Sequence, residues 1–147
     1  MADTIREQII ASMITRFQTI KKTAGYKNDL GDSIHHLRET NFETAELPAL
    51  NIVDRSNNIE HFSCSQFENA LDVDLEVKVA SGTTTFKTAY SIIEDVYRAI
   101  AADDTWGGLA IDTRPVSDEI DGEHADQVVA AITIRIEVKY AAPKWTF

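Results

Sequence analysis

The chain has 147 residues, with 14 Lys and Arg against 24 Asp and Glu, for a formal net charge of −10. That length sets one domain over residues 1–147, large enough to bury a core without staples, and the charge disfavours a plain grip on phosphate backbones. The single cysteine, Cys64, excludes an internal disulfide; no stretch is long and apolar enough to span a membrane; Asp3 and Glu7 stand where a secretory signal is basic, so folding in the cytoplasm is expected.

Ile5, Ile9, Met13, Phe17 and Ile20 recur at helical spacing and predict an amphipathic helix from Thr4 to Lys22. Thr4 with Glu7 fits a capping box, and Gly25 fits a C-terminal stop. Ile10 and Ile14 add a second apolar line, which either broadens one core stripe or is offered to a neighbouring subunit. From Gly25 to Glu46 the pattern is irregular, with Asn28-Asp29, Gly31-Asp32 and Asn41 as turn signals and Ser33–Arg38 as a short strand. Leu47–Asp54 reads as another strand, Pro48 belonging at its start or at a sheet edge because it cannot donate to a ladder. Asn57-Asn58 is then expected to turn the chain.

Leu71–Val79 has apolar residues at every odd position and charged ones at every even position, and Val128–Tyr140 is apolar at its even positions. Both predict long strands with one buried and one wet face. The second far exceeds the usual strand of about five or six residues and is expected to overhang its own domain. Between them Phe86, Ala89, Tyr90, Ile93, Val96, Tyr97 and Ile100 predict a helix over Phe86–Ala102, entered through the Ser81–Thr85 turn and ended by Asp103–Gly108. Leu109–Val116 is a further strand broken by Pro115, and Ser117–Gln127 is expected as a hairpin loop around Gly122. The fold class is therefore α+β: a mixed or antiparallel sheet of about four to six strands packed against two amphipathic helices.

No motif for catalysis emerges. His35 and His36 are adjacent on a strand and point to opposite faces, so they do not share one ion. His61 with Cys64 makes one His-x-x-Cys pair without a second, and His124 lies among loop carboxylates. No Gly-x-Ser-x-Gly elbow is present, and the Ser81–Thr85 turn lacks the second glycine and the lysine of a phosphate loop. Asp72, Asp74 and Glu76 share one strand face, which reads as a solvated face. The most acidic stretch holds Asp118, Glu119, Asp121, Glu123 and Asp126.

The leading helix, Leu47-Pro48-Ala49-Leu50-Asn51-Ile52 and the long alternating strand resemble the tail terminator proteins of long-tailed bacteriophages. So do the second helix running into Asp104-Thr105-Trp106-Gly107-Gly108-Leu109-Ala110 and the closing strand Ile134-Arg135-Ile136-Glu137-Val138-Lys139-Tyr140. The resemblance covers nearly the whole chain in order and size; Gly25–Thr44 and Trp145-Thr146-Phe147 fall outside its pattern. It implies a structural protein and not an enzyme, without cofactor or bound metal. Such proteins form a hexameric ring that caps the finished tail tube, stops its polymerisation and docks to the filled head. The implied partners are further copies of the chain, the tail tube protein and a head-completion or neck protein, at the head–tail junction of the virion and away from any membrane, with DNA passing through unbound. The alternatives are a head–tail joining or neck protein of similar fold, a small non-viral adaptor or ligand-binding domain, or a small enzyme using Cys64, His61 or the Ser81–Thr85 turn.

Within the ring reading, Ile10, Ile14 and the overhanging last strand are the expected subunit contacts. Trp145 and Phe147 are expected either to dock on a neighbour or the tube, or to pack back on their own sheet. The five acids of the 117–127 loop are expected either to face the central channel, where they discourage DNA from sticking, or to be an outward solvated tip.

Overall fold

A computed structural model of the chain describes residues 3–40, 46–61, 63–79, 85–124 and 128–146. Helix α1 spans Ile5–Phe17, with the Thr4 hydroxyl accepting from the Glu7 N–H at 3.2 Å, Glu7 in the first turn and Arg16 in the last. It stops short of the expected Lys22. Ile20 N–H turns back to the Phe17 carbonyl, and the Ile20 carbonyl accepts from Gly31 N–H at 2.8 Å instead of from a further helical turn. Gly25, at φ +92°, therefore ends a short 3₁₀ turn at Lys22–Ala24 and not the helix itself. A second 3₁₀ turn, Leu30–Asp32, leads into strand β1, Ile34–His36.

Five long elements follow β1. Strand β2 is Ala49–His61, β3 is Gln66–Val79, helix α2 is Thr85–Ala101, β4 is Asp112–His124 and β5 is Val128–Pro143. The sheet order is β1-β2-β3-β5-β4; β1 runs parallel to β2 and every other pair is antiparallel. The α+β class is as expected, with a five-stranded mixed sheet and two helices. At its centre the two alternating strands place their apolar sets opposite one another, Leu71 on Val138, Val73 on Ile136, Leu75 on Ile134 and Val77 on Ile132. All eight are buried, each side chain contributing roughly 1.5–3 kcal/mol. The helices cover this face alone; the opposite face carries the charged alternate residues.

Four expectations are corrected. Asn57-Asn58 does not turn the chain: both lie in the β2–β3 ladder opposite Leu71 and Ala70, and Asn57 Nδ2 donates across the sheet to Asn69 Oδ1 at 2.9 Å. The reversal comes later, where the Ser63 hydroxyl accepts from Ser65 and Gln66 N–H groups. Ser117–His124 is strand and not loop. As an edge strand, β4 absorbs Pro115 through a register shift before Ser117 and keeps Asp118, Glu119 and Asp121 in water. Strand β5 does not overhang alone, being paired over Ala130–Pro143 with β3 and over Val128–Lys139 with β4. On α2 the buried line is Ala89, Ile92, Val96, Ala99 and Ile100; Tyr90 is 64% exposed, and Ile93 and Tyr97 are only half-buried at the rim. The Tyr97 hydroxyl reaches out to the Asp118 carboxylate instead.

Candidate functional site

The apolar surplus expected on α1 is absent. Ile10 is 5% exposed and belongs to the core together with Ile9, Met13 and Phe17, and half-buried Ile14 packs against that core. The two lines form one broad stripe, wide because α1 meets the sheet on one side and α2 on another. This corrects the idea of a spare face for a neighbouring subunit.

Surplus apolar surface lies at the far end of the sheet. The buried face runs past α1 into a polar layer of Asp54, Asn57, Asn69 and Tyr140, and then into an uncovered end. Arg6, near the start of α1, donates through Nε and Nη2 to Asp54 Oδ2 at 2.9 and 2.8 Å, and His36 Nε2 donates to Asp54 Oδ1 at 2.9 Å. One carboxylate thus ties α1, β1 and β2 together. Burial pushes the Asp54 pKa upward, but the His36 and Arg6 hydrogen bonds outweigh it and the net shift is downward. Burial raises the pKa of Tyr140, whose hydroxyl lies 3.5 Å from Asn57 Nδ2.

Beyond this layer stand Ile59, His61 and Phe67 of the β2–β3 hairpin, with Trp145 folded against them. His61 and Phe67 meet edge to face at 6.3 Å, Phe67 and Trp145 at 5.4 Å, and Lys144 Nζ sits 5.6 Å from the Phe67 ring centre. The tail is fixed by Lys144 N–H donating to the Ser65 carbonyl and by Thr146 N–H donating to the Pro143 carbonyl. Trp145 packs back on its own sheet, yet 79% of it remains in water and Ile59 is 49% exposed. Phe147 lies outside the described residues. Sequence reasoning singled out Trp145 but missed Ile59 and Phe67, whose only signal was an apolar residue on a strand running past the turn assumed at Asn57-Asn58.

Among the described side chains, Asp118, Glu119 and Asp121 lie along a strand and not at a loop tip. Along β4, Asp118 faces the helix side and Glu119 and Asp121 the open side, following the pairing with Ile134, Thr133 and Ala131. Asp118 accepts the Tyr97 hydroxyl proton at 2.8 Å; burial, then the Asp118 bond and charge, raise that phenol to about 12. Glu119 lies 3.4 Å from Arg135, and Asp121 is exposed. Glu123 is placed in β4 by its backbone, and Asp126 lies outside the described residues. The channel-facing reading thereby loses the loop that motivated it.

His35 Nε2 pairs with the Ser33 hydroxyl at 2.9 Å while His36 serves Asp54, Cys64 is exposed in the hairpin turn, and Ser81–Thr84 lies outside the described residues. Asp72 accepts from Ser56, and Asp74 lies between Arg55 at 3.4 Å and Arg135 at 3.8 Å. Among the described residues no group of three or more His, Cys, Asp or Glu is placed to hold a metal ion, and no helix is long and apolar enough to cross a membrane. Comparison with protein-family models and with curated proteins gives no match.

Proposed function

We propose that this chain is a virion structural protein of the tail terminator kind, forming a ring that caps a phage tail tube, halts its growth and presents the surface on which the head docks. Its element order supports the reading: a leading helix, a long alternating strand, a second helix and a closing strand, in the sequence the resemblance implies. The observation that carries it is the uncovered hairpin end. Ile59, Phe67 and Trp145 form an apolar projection beyond the helix layer, with a tail whose backbone is hydrogen-bonded in place. A subunit that works alone gains nothing by holding such a surface in water, whereas one that seats on a tube buries it. The hexamer, the tube and neck partners and the place at the head–tail junction come with the resemblance, as does the absence of enzymatic activity.

Electron microscopy of tails assembled without the protein tests the reading. Tubes of uncontrolled length are expected, and tails of normal, uniform length refute it. Trp145→Ala is expected to keep the fold, because the side chain is mostly exposed, while releasing the protein from tube ends in a pelleting assay.

A further inference from the structure

The β4 edge of the sheet carries an assignment independent of the tube-capping role. Among the described residues β4 is hydrogen-bonded only to β5, so its other side offers alternate backbone N–H and C=O groups. The first part of that edge is blocked, since Pro115 has no N–H and the register shifts before Ser117. From Ser117 to His124 the register is unbroken and no proline interrupts it.

The charge on this segment is of one sign. It holds Asp118, Glu119, Asp121 and Glu123 and no Lys or Arg. Asp121 has no hydrogen-bond or ion-pair partner among the described residues, and its cross-strand neighbour is Ala131. Large apolar side chains flank the edge: Val116 is 56% exposed at the register shift and Ile111 is 51% exposed just before the strand. Tyr90 lies on α2 two turns before Tyr97, on the helix face that reaches Asp118.

Two copies of this edge set against each other place carboxylate against carboxylate, which is destabilising and guards the strand against pairing with itself. The same edge suits a strand of opposite charge. We propose that Ser117–His124 is a strand-addition site for an extended, Lys- or Arg-bearing segment of a partner polypeptide, which joins the sheet as a sixth strand. Backbone hydrogen bonds supply the affinity and the β4 carboxylates supply the selectivity.

The test uses the full chain and labelled peptides of about eight residues alternating Lys and Val, read by fluorescence anisotropy and by amide hydrogen exchange. The Lys-Val peptide is expected to bind and to slow exchange across Ser117–His124, and the matching Glu-Val peptide to bind at least about tenfold more weakly. Lys-Val peptides N-methylated on alternate residues, made in both registers, keep every charge; one register is expected to lose at least about tenfold, because it removes the ladder. Asp121→Lys is expected to weaken Lys-Val binding by about fivefold or more. Equal binding of both methylated registers reduces the effect to charge alone and overturns the proposal, as does failure of the Lys-Val peptide to bind. Slowed exchange at β4 that arises from self-association without peptide also overturns it, because the occupant is then a second copy. Each of these outcomes leaves tube capping to be judged on tail length.

Discussion

Asp95 is a buried carboxylate whose removal gives a large, calculable loss. It sits on α2 at 1% exposure and accepts from Lys27 N–H at 3.1 Å, Asn28 N–H at 3.0 Å and Asn28 Nδ2 at 3.0 Å. These bonds hold the segment that carries Leu30 into the core and Gly31 against the end of α1. In Asp95→Ala two backbone donors lose their acceptor at a part-buried site, each costing about 1–3 kcal/mol, with water recovering a fraction. The expected loss is about 3–4 kcal/mol, or about 6–12 °C in Tm for a chain of this size. Asp95→Asn retains one acceptor oxygen but turns an NH₂ toward donors, and about half that loss is expected. Urea unfolding followed by circular dichroism, at a concentration where the molecular mass is fixed, measures both. A loss below about 0.5 kcal/mol for Asp95→Ala refutes the assignment of Asp95 as the clamp.

Three further outcomes follow from the packing. A Cβ on Gly31 would meet the Gln18 carbonyl oxygen, so Gly31→Ala is expected to lose about 2 kcal/mol or more by the same urea measurement. Ile10→Asp is expected to unfold the chain or cost at least about 3 kcal/mol by urea unfolding; a folded Ile10→Asp that loses less than about 1 kcal/mol contradicts its place in the core. Alkaline unfolding should report Tyr97. Its folded pKa of about 12 lies above the ordinary phenol value of 10.0, so its stabilisation is whole below pH 10 and fades as pH rises to 12, a loss that Tyr97→Phe is expected to abolish.

The sequence was most legible where burial has one period. Leu71–Val79 and Val128–Tyr140 alternate cleanly because each has one covered and one wet face, and both are central strands. The α1 stripe was legible as a helix, but the burial of its second line was not, since Ile10 at helical spacing reads equally as core or as surface for a neighbour. Asn57-Asn58 and Ser117–His124 were misread for one reason: polar residues in a ladder look like loops when their partners lie on other strands. Asn57 is an example, its Nδ2 donating to Asn69 on the neighbouring strand. The hairpin end was hidden behind the Asn57-Asn58 error, because a turn placed there leaves no strand on which Ile59 and Phe67 could stand.

The strand order bears on how the chain reaches this fold. β2 and β3 form one local hairpin, and β4 and β5 form another. The seam between them is the β3–β5 ladder, which joins residues as distant as Gln66 and Pro143 and has the whole of α2 between its strands. Each hairpin can close early at small entropic cost, whereas the seam must close the longest loop before it is rewarded. The apolar faces of both hairpins stay exposed until then, and α2, tethered to both, is the element positioned to shield them. Assembly speed in this molecule is therefore governed by how readily β3 finds β5, and the alternating rows from Leu71 to Val79 and from Ala130 to Val138 set the register of that meeting as well as its strength.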